Sequence, residues 1–176
     1  MSTNGEFISD LSAIQKRARQ NVEAGAVTGG YHAQIETVIK LLNEALATEI
    51  VCVLRYRRHY FMARGIQAEA VSAEFLEHSN EEQGHADRIA NRITQLNGKP
   101  DFNPATLMTR SHAAYVEGET LESMIKENLV AERIAIDSYG EMIRYIGDND
   151  PTTRRMLEDI LAMEEEHADD LAKLLT

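Results

Sequence analysis

The sequence predicts an all-α fold: a four-helix bundle with one long crossover between the second and third long helices. Composition is the first observation, because the 176 residues include only three prolines and no tryptophan and are rich in Ala, Leu, Glu and Ile. The second is that apolar residues recur at helical spacing over four long segments. The third is that the connections between these segments are short, long and short, which fits two hairpins joined by a crossover.

Residues 1–31 are predicted to form an N-terminal extension with one short helix. Ser9 or Asp10 can cap a helix that runs to about Val22 and carries its apolar residues on one stripe. A glycine-rich segment then breaks this helix. Residues 32–176 are predicted to form the bundle as a single domain, because a chain of this length can bury a sizeable core.

The four long helices are bounded by recognisable start and stop signals. They are predicted to span residues 32–64, 68–96, 120–146 and 151–176. Asn97-Gly98 is a strong C-terminal signal for the second helix, and Pro151 suits the first position of the fourth. The middle connection of about 20 residues could reach ~65 Å when extended, enough to run the whole length of the bundle. The second and third long helices can therefore run parallel.

A short motif occurs twice and is the strongest functional signal in the chain. The sequence EQGH at residues 82–85 recurs as EEEH at residues 164–167, and both copies continue with Ala-Asp. Residues three apart on a helix lie about 60° apart, one turn from each other on one face. Each copy therefore aims a carboxylate and an imidazole in the same direction.

The repeat extends upstream of the motif. Glu49 lies 33 residues before the first copy and Glu132 lies 32 before the second. Each is followed seven residues later, nearly two turns along the same face, by a tyrosine, Tyr56 or Tyr139. The pattern recurs at an offset of about 82 residues, so each half of the chain is predicted to be a helical hairpin and the whole an internal duplication.

In a bundle these side chains converge, and together they suit a metal centre. The candidate ligands are Glu49, Glu82, His85, Glu132, Glu164 and His167. The competing interpretation is coincidence, but four carboxylates buried together without compensation would each cost several kcal/mol or take up protons. Two divalent cations would balance their charge. A set of nitrogen and oxygen ligands suits iron or manganese, and a Glu from each of two helices with a Glu-x-x-His from each of the others is the di-iron or di-manganese carboxylate arrangement.

Other polar residues near this stripe have two interpretations each. Tyr56 and Tyr139 could donate hydrogen bonds to the ligands, or they could be buried core tyrosines. Cys52 lies one turn from Glu49 and could line the site, although a small core filler is the simpler interpretation.

Charged and imidazole side chains beside the repeated motif are expected to be less important. His78 could be a ligand at an entry site, but a surface histidine is the favoured interpretation. Glu81, Glu165 and Glu166 are expected to point away from the ligand stripe and to form a solvated face.

At the same residues the chain resembles the bacterioferritin branch of the ferritin-like superfamily. Segment 41–59 is similar to that family's first helix and segment 81–88 to its second, and the likeness covers about residues 33–99 and 120–175. The resemblance implies a ferritin-like four-helix bundle with two iron ions per subunit. Glu49, Glu82 and His85 would hold one ion and Glu132, Glu164 and His167 the other, with Glu82 and Glu164 bridging. Tyr56 matches the tyrosine beside that site.

Two departures from the bacterioferritin pattern change what is expected about haem binding and about the assembly. Where bacterioferritins have a haem-ligating methionine directly after the second-helix glutamate, this chain has Gln83, so the resemblance gives little support for haem. No fifth helix is expected after His167, and the N-terminal extension adds to the likeness with Dps-like proteins, which build 12-subunit shells. Some of those carry a cysteine pair near the metals, which a lone Cys52 does not reproduce.

The resemblance implies a ferroxidase that oxidises Fe(II) with H₂O₂ or O₂, stores iron and protects against oxidative stress. A homo-oligomeric cage is expected, with 12 subunits favoured over 24. The alternative is a di-metal enzyme without a cage, either manganese catalase-like or a di-iron oxidase, in which manganese could replace iron. A bundle that binds metal only to fold is a further alternative.

Charge and composition limit which partners and which cellular location are expected. The net charge of −11 repels nucleic acid, and the first 30 residues carry three basic residues against three acidic ones, so nucleic acid is not an expected partner. No apolar run reaches the roughly 20 residues of a membrane span. A single cysteine excludes an internal disulfide and a four-cysteine metal site. With no signal-peptide pattern at the N-terminus, a cytoplasmic location is expected.

Overall fold

The computed structural model describes residues 10–66 and 68–175, which form an α-helical bundle without β-strands. The helices are α1 (Leu11–Ala18), α2 (Ile35–Met62), α3 (Ala68–Gln95), α4 (Leu107–Arg110), α5 (Leu121–Ile146) and α6 (Pro151–Lys173). Short 3₁₀ turns lie at Val22–Ala24 and Gly147–Asn149. The predicted all-α fold is confirmed, and the four long helices agree with the predicted spans to within three residues at each end.

Local signals in the sequence set the helix ends. Asp10 caps α1, its Oδ1 accepting from Ala13 N at 3.1 Å, whereas Ser9 lies outside the described residues. The helix ends at Ala18 rather than at Val22, and Asn21 adopts a left-handed φ of 49° before the 3₁₀ turn. The predicted length of this helix was therefore too great. At the end of α3, Asn97 has a φ of 63°, a conformation that closes helices at small or Asn residues.

The last two long helices begin at side-chain caps, and the predicted helix start at Pro151 is confirmed. Thr120 caps α5 by accepting from Ser123 N, and the Ser123 hydroxyl accepts in return from Thr120 N, which forms a capping box. Asp150 caps α6 by accepting from Thr153 N, with Pro151 at the first position of the helix. Both caps anchor helices that carry candidate ligands.

The crossover between α3 and α5 runs along the whole of α2. Its course is marked by three hydrogen bonds: Asn43 Nδ2 to Lys99 O at 3.2 Å, His112 N to Thr48 Oγ1 at 2.9 Å, and His59 Nε2 to Glu117 O at 2.9 Å. The residue numbers of both partners rise together, so the crossover follows the direction of α2. Because α2 and α3 are antiparallel, it returns the chain to the end where α3 began, and α3 and α5 run parallel.

Two apolar clusters form most of the core, one toward each end of the bundle, and each draws on all four long helices. A small third cluster packs α4 on α2 and contains Ala47, Val51 and Leu107. The first includes Leu42, Ile89, Ile146 and Ile160. The second includes Tyr56, Phe75, Ile125 and Leu171. On every helix the candidate ligands fall between the residues of these two clusters, so the apolar packing closes the site from above and below.

The segment before α2 packs against one end of the bundle. Tyr31 donates from its hydroxyl to Asp150 Oδ2 at 2.7 Å, and Asn97 Nδ2 donates to Ala24 O at 3.0 Å. Val27 and Tyr31 pack on the first apolar cluster. A boundary between an extension and a bundle at residues 31 and 32 stays a prediction. Within the described ranges, none of the helices combines the length and apolar character that crossing a membrane requires.

Candidate metal centre

The six predicted ligands meet in the middle of the bundle and are almost completely buried. Their exposed fractions lie between 0% and 2%. One glutamate comes from each of α2 and α5, and a Glu-x-x-His pair comes from each of α3 and α6. The fold thus gathers residues separated by up to 118 positions in the sequence, as the repeated motif predicted.

The ligand atoms form two overlapping groups, and within each group they lie within 4.8 Å of one another. One group contains Glu49, Glu82, His85 and Glu164, and the other contains Glu82, Glu132, Glu164 and His167. The glutamates of the two Glu-x-x-His motifs belong to both groups. The geometry therefore allows two ions to share Glu82 and Glu164.

The two imidazoles face the carboxylates with the same ring nitrogen but at different distances. His85 Nδ1 lies 3.0 Å from Glu164 Oε1, 3.3 Å from Glu82 Oε2 and 3.4 Å from Glu49 Oε2. His167 Nδ1 lies 3.7 to 4.0 Å from its three carboxylate neighbours. The second half of the centre is therefore the more open of the two.

Most buried side-chain polar atoms without a hydrogen-bond partner are found at this centre. Among the described residues eight such atoms occur, and six belong to the candidate ligands: Glu49 Oε2, Glu82 Oε1, Glu132 Oε2, both carboxylate oxygens of Glu164, and His167 Nδ1. An unsatisfied buried polar atom costs about 1–3 kcal/mol, and more when charged. Buried oxygen and nitrogen atoms that converge in this way fit a divalent cation, which is a partner that the protein itself does not supply.

The pKa values of the four carboxyl groups also show the cost of burying them together without an ion. Burial, followed by repulsion from Glu82, raises the pKa of Glu49, Glu132 and Glu164. Burial acts in the same direction on Glu82, but hydrogen bonds with Glu49 and the two imidazoles outweigh it and lower the pKa of that carboxyl.

Both imidazoles of the centre are strong bases without metal. Burial opposes the charged form of His85, but contacts with Glu49 and Glu82 outweigh it and raise its pKa to about 10. The pKa of His167 is likewise raised to about 9, chiefly through Glu82. A cation that binds to these imidazoles would therefore have to displace their protons.

The two tyrosines of the repeat contact the centre, each across the bundle. Tyr56 on α2 donates a short hydrogen bond to Glu132 Oε1 on α5, and Tyr139 on α5 donates a short hydrogen bond to Glu49 Oε1 on α2. Each of these glutamates keeps its second oxygen without a partner. The exchanged contacts fix the orientation of the two non-bridging carboxylates and leave one oxygen of each free for an ion.

A buried arginine beside the centre was not predicted. Arg55 donates to Asn128 Oδ1 at 2.8 Å, to Ala114 O at 3.1 Å and to Cys52 Sγ at 3.5 Å. Its exposed fraction is 1%. Cys52 is thus a buried side chain packed among Tyr56 and its apolar neighbours, held against a guanidinium. The helical position of Arg55 was visible in the sequence, but its partners lie on α5 and in the irregular crossover, where no periodicity predicts contacts.

The favoured interpretation of His78 as a surface residue was wrong. It is 2% exposed, stacks on His167 with ring centroids 4.0 Å apart, and its Nδ1 lies 3.2 Å from the Tyr56 hydroxyl. Burial and the neighbouring His167 lower its pKa to about 4. His78 lies four residues before Glu82 on α3. This spacing of about one turn was the signal that His78 shares the inward face of the helix.

The expectation for the acidic run was partly wrong. Glu165 and Glu166 are exposed, as predicted. Glu81, however, accepts from His167 Nε2 with its Oε2 at 2.9 Å and is only 35% exposed in its side chain. The close packing of α3 on α6 brings it there. A carboxylate on the far nitrogen of a ligand histidine orients the ring and makes it a better ligand.

The residue at the haem-ligand position lies on the surface. Gln83 is exposed and donates from Nε2 to Asp87 Oδ1 at 3.0 Å. The absence of haem stays a prediction, since it concerns a contact between subunits.

A cavity of about 190 Å³ opens between α3 and α6 on one side of the centre. The imidazoles of His78 and His167 form part of its wall, and its other lining residues are Glu74, Glu77, Glu81, Met163, Glu166 and Asp170. Since His167 also belongs to the ligand set, a single ring separates this cavity from the candidate metal positions.

Comparison with known proteins agrees with the fold. Residues 39–176 match the family model described as Ferritin, the ferritin-like domain. The chain is 30% identical over 145 residues to a "DNA protection during starvation protein" of Pyrococcus furiosus, covering 81% of this chain and 78% of the relative. It is also 30% identical over 133 residues to a bacterioferritin of Rhodobacter capsulatus, covering 75% and 78%.

A solved structure is similar over most of the chain. It is described as a dodecameric thioferritin, the bacterioferritin-related protein from Bacteroides fragilis, and it shares 32% sequence identity and a TM-score of 0.79 over 82% of this chain and 87% of its own. With a family model that matches most of its length and relatives covered over three quarters of theirs, the chain belongs to the ferritin-like family.

Proposed function

We propose that the protein is a ferroxidase that takes up iron and protects against oxidative stress. It oxidises Fe(II) at the buried centre and stores the product. The six orphaned polar atoms between the helices are the observation that carries this proposal. Four carboxylates and two imidazoles form a nitrogen and oxygen ligand set, which suits Fe(II) and Mn(II). Relatives named bacterioferritin and DNA protection during starvation protein support iron storage and protection as the setting.

The overlapping groups give each ion its own ligands and shared ones. Glu49 and His85 would hold one Fe(II), Glu132 and His167 the other, and Glu82 and Glu164 would bridge them. Sites about 3.5–4 Å apart can act on one small oxidant together. Two Fe(II) ions then each lose one electron, and one H₂O₂ takes up both electrons and two protons to give two waters. With O₂ in place of H₂O₂, the two electrons and two protons yield one H₂O₂.

The surrounding residues prepare the ligands for this reaction. Tyr56 and Tyr139 hold the non-bridging glutamates, and Glu81 orients His167. The two apolar clusters keep the centre dry, so its charges act at low dielectric and are screened little by solvent. Removing Fe(II) and peroxide in one step also suppresses the radicals that the two form when they meet free in solution.

The protein assembles as a homo-oligomeric shell of 12 subunits in the cytoplasm, with oxidised iron stored inside. Its likeness to a protein described as dodecameric supports this part of the proposal. Light scattering measures it directly: a shell has about twelve times the subunit mass of 19.8 kDa. A monomer or dimer that oxidises iron at full rate would favour the di-metal enzyme without a cage.

Stopped-flow mixing tests the activity. Protein loaded anaerobically with two Fe(II) per subunit is mixed with H₂O₂, and Fe(III) formation is followed by absorbance. Wild type is expected to show a fast phase that is missing in Glu82→Ala, while Glu165→Ala, an exposed neighbour of Glu164, keeps it. Wild-type oxidation no faster than that of Glu82→Ala would reject the proposal.

A further inference from the structure

The cavity between α3 and α6 holds a second constellation of ligand-type residues, outside the six of the centre. Ligand atoms of Glu74, His78 and Asp170 lie within 4.8 Å of one another. On α3, Glu74 precedes His78 by four residues, so both project from one face. Asp170 approaches from α6, one turn beyond His167. The three residues thus come from the two helices that also carry the Glu-x-x-His motifs.

The orientation of His78 is fixed by the centre. Tyr56 has one hydroxyl proton, and it is donated to Glu132. Its oxygen can therefore only accept from His78 Nδ1, 3.2 Å away. The ring nitrogen that remains, Nε2, is turned to the cavity and lies 3.3 Å from Glu74 Oε1. No aligned hydrogen bond of this nitrogen occurs in the described part of the chain, although 97% of the side chain is buried.

Most of the charged side chains around this nitrogen are acidic. Five acidic side chains line the cavity, those of Glu74, Glu77, Glu81, Glu166 and Asp170, with no lysine or arginine among the lining residues. Two positive groups lie close to it: the His167 imidazole, which stacks on the His78 ring with centroids 4.0 Å apart, and Lys173, which contacts Asp170 Oδ1 at 3.0 Å from a side chain that is 66% exposed. Such a lysine can turn into solvent when another cation takes its place.

We propose that His78, Glu74 and Asp170 bind a third divalent cation in this cavity. One imidazole nitrogen and two carboxylates are suitable ligands for Fe(II), Mn(II), Co(II) or Zn(II), with water filling the remaining positions. A cation there neutralises part of the acidic wall and would be coordinated by His78 Nε2. If the proposed ferroxidase function holds, this ion is Fe(II) held next to His167 on its way to the centre; the binding itself does not depend on that function.

Cobalt binding tests the site without any oxidation step. Metal-free oligomer is dialysed against increasing Co(II), bound metal is counted per subunit, and anomalous scattering at the cobalt edge locates the ions in crystals. Wild type is expected to bind three ions, one of them in the cavity. His78→Ala and Asp170→Asn are expected to lose that ion and to keep two. Glu77→Gln, which lines the same cavity outside the triad, should still bind three.

Each other outcome is decisive. A wild-type cavity without cobalt, or a cavity ion that survives Asp170→Asn, would overturn the site. Loss of the third ion in Glu77→Gln to the same extent would show general attraction by the acidic wall and would also overturn the ligand assignment. If His78→Ala does not fold because the residue is buried, Asp170→Asn decides alone. Cobalt in the cavity with none at the centre would leave this site standing and reject the proposed function instead.

Discussion

Two buried charged clusters in this bundle differ in whether the protein itself supplies partners for their charges. The closed cluster is Asp150 with Arg92, and the open cluster is the four carboxylates of the candidate metal centre. At one end, Asp150 accepts from Arg92 Nη2 at 2.9 and 3.0 Å, from Tyr31 at 2.7 Å and from Thr153 N at 2.9 Å. Arg92 also donates from Nε to Thr153 Oγ1 at 2.7 Å. Both carboxylate oxygens are thereby satisfied by the protein itself. In the middle of the bundle, four carboxylates with comparable burial leave five oxygens without a partner.

The difference shows in the acidity of the carboxyl groups. Burial acts to raise the pKa of Asp150, but hydrogen bonds from Thr153, Tyr31 and Arg92 outweigh it and lower that pKa. At the centre the hydrogen bond from Tyr139 and the contact with His85 do not outweigh burial, and the pKa of Glu49 is raised, as is that of Glu164. A buried carboxylate whose oxygens all have partners within the protein stabilises the fold. A buried carboxylate with unpartnered oxygens needs a proton or a bound cation to compensate its burial.

The largest expected effect is at the bridging residues. Glu164→Ala removes a ligand common to both groups of the centre, so rapid Fe(II) oxidation is expected to disappear altogether. The same protein should fold, because the substitution removes a buried unpaired carboxylate. Stopped-flow absorbance gives the rate and circular dichroism gives the fold. A Glu164→Ala variant that oxidises Fe(II) as fast as Glu165→Ala would contradict the assignment.

At the closed cluster the expected effect is on stability. Asp150→Ala leaves the Arg92 guanidinium buried without its partner and removes the cap of α6, so the free energy of unfolding should fall by about 3–5 kcal/mol. Denaturant unfolding of metal-free protein measures this. Asp148→Ala, at an exposed position of the same turn, should change stability by no more than about 0.5 kcal/mol. Equal effects of the two substitutions would show that the buried network contributes nothing special.

Metal affinity at the open cluster should rise with pH. Without metal, the raised pKa values of His85 and His167, about 10 and 9, keep both rings protonated at pH 7. An ion that binds there displaces these protons, so raising the pH toward 9 weakens the competition, by about tenfold in affinity per pH unit for each proton released. Mn(II) titrations with a pH indicator dye measure the released protons. Affinity that stays constant between pH 6 and 8 would contradict protonated imidazoles in the ion-free centre.

The smallest expected effect is at the tyrosines that hold the non-bridging carboxylates. Tyr139→Phe removes the hydrogen bond to Glu49 and keeps the ring in the core, so metal affinity or oxidation rate should fall by about 10- to 100-fold. Mn(II) binding isotherms together with oxidation rates give the loss. Tyr145→Phe, at an exposed position of the same helix, is the matched control. A purely apolar role for Tyr139 would leave both measurements unchanged.

The sequence predicted which acidic and histidine side chains gather inside the bundle better than it predicted their surroundings. Helical periodicity and the repeated Glu-x-x-His fix which residues face inward, because spacing along one helix determines its face. The spacing along one helix does not predict which residues of a neighbouring helix it contacts. The tyrosines were predicted on the face of the glutamate seven residues before them, yet each reaches the glutamate of the opposite helix.

The residues missed or misjudged share this cause. Glu81 contacts His167 only because α3 packs closely on α6. Arg55 donates its hydrogen bonds to Asn128 on another helix and to a carbonyl of the crossover. For His78 the one-turn spacing to Glu82 was available, but burial of a histidine depends on partners such as Tyr56, which appear only in three dimensions.

The most direct test of the central claim is to locate metal ions inside the bundle. Crystals of metal-free protein are soaked anaerobically in Mn(II), and anomalous scattering is measured with Glu82→Ala as the control. Two peaks about 3.5–4 Å apart are expected between the Glu82 and Glu164 carboxylates, each next to one of the two imidazoles, and they should be lost in the control. An interior that stays empty, or one whose carboxylates have turned toward solvent, would contradict the claim that paired divalent cations compensate these buried acids.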